Sequence, residues 1–261
     1  MVLCALIENY ETQIPNESIK AQRTKHKEQS SSVNMTHVTT FSRYDQKLEF
    51  ILRSAAQIFA DKSYHSTSMR DIARATNVSL AGLYHYCKSK EELLFLIQDN
   101  CFGRVLERLE ERLRDVRDPI EKLRIFIENH LSFFAANMAE MKVLSHESQS
   151  LQGDLRQHVS GKKDKYTKLA TRILREVDDG SGVNLTVATY ALFGMMNWIY
   201  NWYDPKGRLK VHDLAQNLTQ LFLEGFAPGS SFEVSDKFPR QLPENLSVWR
   251  GASRQQEKPI R

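Results

Sequence analysis

Residues 66–93, STSMRDIARATNVSLAGLYHYCKSKEEL, restrict the fold more than any other stretch of the chain. Ser68 stands where a helix N-cap belongs. Asp71 follows at the spacing from which a carboxylate returns to the cap backbone. Met69, Ile72, Ala73 and Val78 keep helical spacing into a turn marked by Asn77-Val78. Ser79 opens a second short helix through Leu83, Tyr84 and Tyr86, and Ser89 with Glu92 opens a third. Two short helices joined by a tight turn form a helix-turn-helix, whose second helix enters the major groove of DNA. A chain with this stretch is expected to read DNA.

The remainder also reads as helix. Leu, Ala, Glu, Arg and Lys are plentiful between 42 and 226, Gly (11) and Pro (7) are sparse, and no segment alternates as a strand does. The fold class is therefore all-α, a three-helix DNA-binding domain followed by a larger helical domain. A first helix is expected over about 44–62, with Leu48, Ile51, Leu52, Ala55, Ile58 and Phe59 inward. Leu93, Ile97, Cys101, Val105, Leu109 and Leu113 lie four apart, which makes a long helix with one face in both domains. Gly103 allows a mild bend in it. Asp118-Pro119, with Glu121 closing a capping box, starts a helix to about 137. Further helices are expected at about 139–149, 151–177, 184–203 and 211–226. Residues 1–40 are expected to be a disordered extension, 41–93 the DNA-binding domain, 94–226 the ligand-binding and dimerisation domain, and 227–261 a tail. Met35 is a candidate alternative start.

Composition narrows the function classes. A net charge of +4 and a pI near 8.9 suit a nucleic-acid binder and an ordinary soluble protein equally. Cys4, Cys87 and Cys101 show no metal-ligand spacing, which argues for a reducing cytoplasm and against disulfides or structural zinc. Val2–Ile7 is too short for a signal peptide. Leu185–Tyr203 is uncharged, but Thr186, Thr189, Asn197 and Asn201 and the lack of basic flanks favour a buried helix over a membrane span. No Gly-rich phosphate loop, nucleophile elbow or helical metal pair is present, so neither an enzyme nor a cofactor is expected. A membrane-associated or enzymatic helical protein remains the alternative.

Ile51–Ala60, Tyr64, Thr67–Ala73, Gly82–Tyr86 and Lys88–Leu93 together resemble the DNA-binding domain of the TetR/AcrR family of transcriptional regulators. Cys87 departs from the larger apolar residue usual there. On this reading Ser68 caps its helix at a phosphate. Arg70 is the candidate for a bidentate guanine contact. Ser79, Leu80, Ala81 and Gly82 open the recognition helix, Ser79 as a donor and the others against thymine methyls. Tyr84 and His85 reach phosphates or bases. The resemblance implies a phosphate contact for Lys90. One of Tyr84 and Tyr86 is expected to be core.

In the second domain, Phe126, Phe133, Phe134, Met138 and Met141 form an aromatic and Met-rich set with His130 and Asn137 among them. Such a stripe is either core or an apolar ligand pocket. The basic run Arg156–Arg175, including Arg172, is either a solvated face or an anion site suited to coenzyme A phosphates. The segments 194–205 and 221–226 resemble a TetR subgroup of repressors of fatty-acid, aromatic and steroid-ring breakdown, several of which respond to acyl-CoA thioesters. That implies a homodimeric repressor of a palindromic double-stranded operator, released by a small hydrophobic ligand, acyl-CoA or another hydrophobe. It also implies ligand contacts that include Trp198, and a dimer interface through Gly194, Ile199, Leu218 and Phe222.

Overall fold

A computed structural model describes residues 42–178, 180 and 182–224. The expected N-terminal extension, the alternative start and the C-terminal tail lie outside these residues. Within them are nine α-helices and no strand: α1 (Arg43–Lys62), α2 (Met69–Ala75), α3 (Leu80–Tyr86), α4 (Lys90–Leu113), α5 (Pro119–Ala135), α6 (Met138–His146), α7 (Gly153–Val177), α8 (Leu185–Asn197) and α9 (Val211–Glu224).

Serines start the first four helices. The Ser42, Ser68, Ser79 and Ser89 side chains accept from the amides of Asp45, Asp71, Gly82 and Glu92, supplying partners for otherwise orphaned N–H groups. Ser42/Asp45 and Ser68/Asp71 close reciprocal capping boxes. The other two expected boxes are incomplete. Glu92 turns instead to the Lys88 amide, and Glu121 is held by Arg124 at 2.5 and 2.7 Å.

The apolar side chains form two clusters. One unites α1, α2, α3 and the start of α4 through Ile51, Phe59, Ile72, Leu83 and Leu93, and Cys87 is buried in it, its thiol against the Leu83 carbonyl at 3.5 Å. The other lies among α4, α5, α7, α8 and α9 around Leu109, Phe126, Leu131, Tyr166 and Met196. The α4 stripe passes from the first cluster at Ile97 to the second at Cys101, as its spacing requires. α6 is also shared: Val143 packs in the first cluster and Met141 in the second.

The expected helix over 184–203 is shorter. It ends at Asn197 and tightens into a 3-10 turn at Trp198–Asn201. The tightening buries Ile199 completely, while Trp198 and Trp202 stay about half exposed. The Ile199 carbonyl accepts from the amides of both Trp202 and Tyr203. No helix of the described residues is long and apolar enough to cross a membrane.

Candidate nucleic-acid interface and ligand cavity

α2 and α3 present one outward surface. Ser68, Arg70, Ser79, Ala81, Tyr84 and His85 are exposed, and Leu80 and Gly82 are half-buried. Gly82 is crowded: an added Cβ would lie 3.0 Å from both the Ser79 hydroxyl and a Val78 methyl, so a side chain there would press on the cap. Tyr84 is 47% exposed. Tyr86 is the inward member of the pair, half-buried and stacked on Tyr44 at 4.8 Å, with His85 set edge-on to Tyr44 at 6.1 Å. Tyr44 thus ties the start of α1 to the end of α3, a role the sequence reading did not see.

Lys90 is placed differently from the expectation. Its ammonium donates to the Tyr64 and Thr67 carbonyls, each at 2.9 Å, and lies 4.4 Å from the centre of the Tyr64 ring. With two donors on carbonyls it braces the α1–α2 connection. The same connection is held from the other side by buried Glu147, just past α6. Its carboxylate accepts from the Tyr64 amide at 3.1 Å and from the Ser150 hydroxyl at 2.7 Å, and its carbonyl accepts from Gln98 at 3.0 Å. The wall of the second domain is therefore bonded directly to the loop that enters the helix-turn-helix.

A cavity of about 170 Å³ lies among α4, α5, α6, α7 and α8. Each helix contributes one face. α5 supplies His130 and Phe134, α7 supplies Lys163, Tyr166 and Thr167, and α8 supplies Tyr190, Phe193, Gly194 and Asn197. Met141, Leu144, Ser145 and Ser148 come from α6 and its end, with Phe102, Trp198 and Tyr200 completing the lining. The spacings are i, i+3, i+4 and i+7, the successive positions of one helical face.

Its interior is apolar but for one relay. His130 Nδ1 lies 3.1 Å from the Tyr166 hydroxyl, and Nε2 lies 3.1 Å from Asn197 Oδ1. Asn197 Oδ1 only accepts, so Nε2 carries the proton and Nδ1 accepts from Tyr166. Burial holds the imidazole neutral, its pKa driven down to about 3. Burial also pushes the Tyr166 phenol above its ordinary value. Lys163 is the one formally charged side chain of the lining, and desolvation lowers its pKa.

The sequence-expected ligand contacts divide. His130, Phe134, Met141 and Trp198 line the cavity. Phe126 stands behind it, stacked on Tyr166 at 5.1 Å. Phe133 and Asn137 face a second, more polar cleft of about 780 Å³ beside α1 and α4, and Met138 lines neither. Arg172 is exposed and away from the cavity. It follows Lys163 by nine residues, about 180° around an α-helix, so the two point to opposite sides. Lys162 and Lys165 are paired with Asp99 and Glu110. These two members of the basic run are thus tied to acidic partners on α4.

The expected interface residues divide as well. Gly194 is exposed, and Leu218 and Phe222 are half-buried against their own core. Ile199 is fully buried inside its own chain and offers nothing to a partner.

Known proteins share this arrangement. Residues 51–97 match the model of bacterial regulatory proteins of the tetR family, and residues 116–226 match the tetracyclin repressor-like C-terminal domain. AibR, solved in complex with isovaleryl coenzyme A and operator DNA, is 30% identical. It covers 68% of this chain and 98% of its own, with a TM-score of 0.61. The chain belongs to the TetR family. This TetR-family protein is also 25% identical over 182 residues to the fatty acid metabolism regulator protein of Bacillus subtilis (strain 168), spanning 67% of this chain and 93% of that one. To the transcriptional repressor KstR2 of Mycolicibacterium smegmatis it is 28% identical over 181 residues, spanning 67% and 88%. As a TetR-family member it is a DNA-binding transcriptional regulator and not an enzyme.

Proposed function

We propose that this TetR-family protein is a cytoplasmic homodimeric repressor that binds a palindromic operator and leaves it when a small hydrophobic acyl-CoA thioester enters the 170 Å³ cavity. One observation carries the reading: α4 and α6 each place part of one face on the DNA-binding cluster and part on the cluster beside the cavity. A ligand acts on DNA affinity only through a difference in its affinity for two states of the protein. A wall that moves with Met141 and Leu144 also moves Glu147, and with it the Tyr64 loop. The proteins named above support the ligand class, since one was solved with an acyl-CoA and another is a fatty acid metabolism regulator.

In this reading Arg70 and Ser79 meet base edges, Leu80, Ala81 and Gly82 lie against thymine methyls, and Ser68, Tyr84 and His85 hold the backbone. Lys90 contributes by bracing the loop. The dimer uses an exposed stripe of α8, Val187, Ala191 and Gly194, of which Val187 is 63% exposed. A two-fold pair would present its recognition helices about 34–36 Å apart, one turn of DNA.

The test is fluorescence anisotropy on a duplex recovered from random DNA by the purified protein. Arg70→Ala is expected to cost about 1–3 kcal/mol and to relax preference at one base position. Tyr84→Ala is expected to weaken binding to all duplexes alike. Uniform weakening by Arg70→Ala would show that it holds the backbone instead. Recovery of no duplex above background would overturn the operator reading.

A further inference from the structure

The exposure of the lining residues sorts the cavity by depth. His130, Phe134, Met141 and Tyr166 are buried, whereas Ser145, Ser148, Lys163 and Tyr200 are half-buried and Trp198 is 54% exposed. The first set is the floor and the second the rim. An apolar cavity of about 150 Å³ is filled by a benzene-sized molecule. The 170 Å³ here therefore admits one compact group of about six to eight heavy atoms. A long acyl chain or a fused polycycle would have to displace Phe134 or Met141, and close-packed cores resist such overpacking.

The polar groups differ in charge and in what they adjoin. Asn197, a lining residue, accepts from the His130 ring through its Oδ1, so its amide N–H₂ is not used in that bond. This donor is half-buried like the rim residues but adjoins the buried His130 ring; it is neutral, and His130 stays neutral. A carbonyl oxygen suits it. A carboxylate there would lie buried with no cation, which is costly. The cavity's one cation, Lys163, stands at the rim. Resting on the reading of the cavity as the effector site, we propose that it selects a short branched or monocyclic acyl group, its carbonyl on Asn197 and its anionic remainder passing Lys163. Long-chain and polycyclic acyl groups are excluded. Two kinds of molecule carry a compact acyl group with an anion, a coenzyme A thioester and a free acid. They differ in where the charge sits relative to the carbonyl. The thioester places its charge well beyond the carbonyl, at the rim, and is the better match.

The experiment is isothermal titration of the full-length protein with acetyl-, isovaleryl-, benzoyl-, octanoyl-, dodecanoyl- and palmitoyl-CoA. The free acids, coenzyme A alone and isovaleryl-N-acetylcysteamine, a neutral thioester, complete the panel. Affinity is expected to peak at isovaleryl- or benzoyl-CoA and to fall at least about tenfold by dodecanoyl-CoA, the order of discrimination that a tight apolar pocket gives. Asn197→Leu should weaken every thioester. Lys163→Ala should weaken the coenzyme A thioesters and leave the N-acetylcysteamine thioester unchanged. Met141→Ala should move the peak to longer chains, and Phe134→Leu gives the same readout where Met141→Ala fails to fold. A peak at palmitoyl-CoA would overturn the size selection while leaving ligand-released regulation intact. Tighter binding of the free acids than of the thioesters would overturn the assignment of Asn197 and Lys163. Silence across the whole panel would overturn this inference and the acyl-CoA reading together.

Discussion

The two ends of the molecule are specified in different ways. In the DNA-binding half every helix begins at a serine whose side chain caps it, and two of those caps are closed boxes. Around the cavity the caps are mixed: Asp118 and Asn184 cap α5 and α8, but α6 begins at Asn137 and α7 at Gln152 with no side-chain cap hydrogen bond. Those helices are held by what they pack on: α7 against α4, α5 and α8, and α6 against α1. Local chemistry starts every helix of the first half, whereas in the second it starts α5 and α8 and tertiary burial holds α6 and α7.

Substitutions that separate the two halves sharpen this contrast. The largest effect is expected at Ile199. A carboxylate there would be buried with no partner, so Ile199→Asp should cost more than about 4 kcal/mol and prevent folding. Val187→Asp on the same segment should keep its melting temperature and yield a monomer by light scattering. A folded Ile199→Asp dimer would refute the core placement, and a dimeric Val187→Asp the α8 interface. Phe126→Ala comes next, at about 3–5 kcal/mol in urea unfolding, because it leaves a void behind Tyr166. A cost below about 1 kcal/mol would mean that this wall is already loose.

A pH effect follows in size. His130 has its folded pKa lowered to about 3, against an ordinary 6.5. Between these values the unfolded chain binds a proton that the folded chain refuses, so stability falls as pH falls. The loss from pH 7 to pH 5 is about 2 kcal/mol from this one group. His130→Gln should flatten that part of the pH profile. An unchanged acid slope would place the loss elsewhere. Smallest are the caps. Ser68→Ala should cost about 1 kcal/mol, and Gln152→Ala less than about 0.5 kcal/mol. Equal costs would erase the distinction between the halves.

The same distinction explains what could be read from the chain. Ser68/Asp71, Ser79, Ser89 and the four-residue α4 stripe are local signals, and the helices they announce are present. Residue class alone misled in the second half. Arg172 has suitable chemistry but the wrong helical phase, Phe133 faces the second cleft, and Met138 shares the phase of Met141 and Ser145 but lies a turn before the cavity. Lys163 was read only as part of the basic run, and Tyr190 and Asn197 were not read as cavity residues. Phase would have found them, since Tyr190, Phe193, Gly194 and Asn197 share one face of α8 as Met141, Leu144, Ser145 and Ser148 share one of α6. Lys90 and Glu147 were legible to no local rule, because their partners lie 23–26 and 83 residues away in the chain.

Regulation by a ligand requires coupling between the cavity and the recognition helix. Its most direct test is anisotropy of the selected duplex with and without saturating isovaleryl-CoA, paired with titration of isovaleryl-CoA into free and DNA-bound protein. The expected result is a loss of DNA affinity of about 5–150-fold, matched by an equal loss of ligand affinity on DNA, as linkage demands. Tight isovaleryl-CoA binding with DNA affinity unchanged would contradict it.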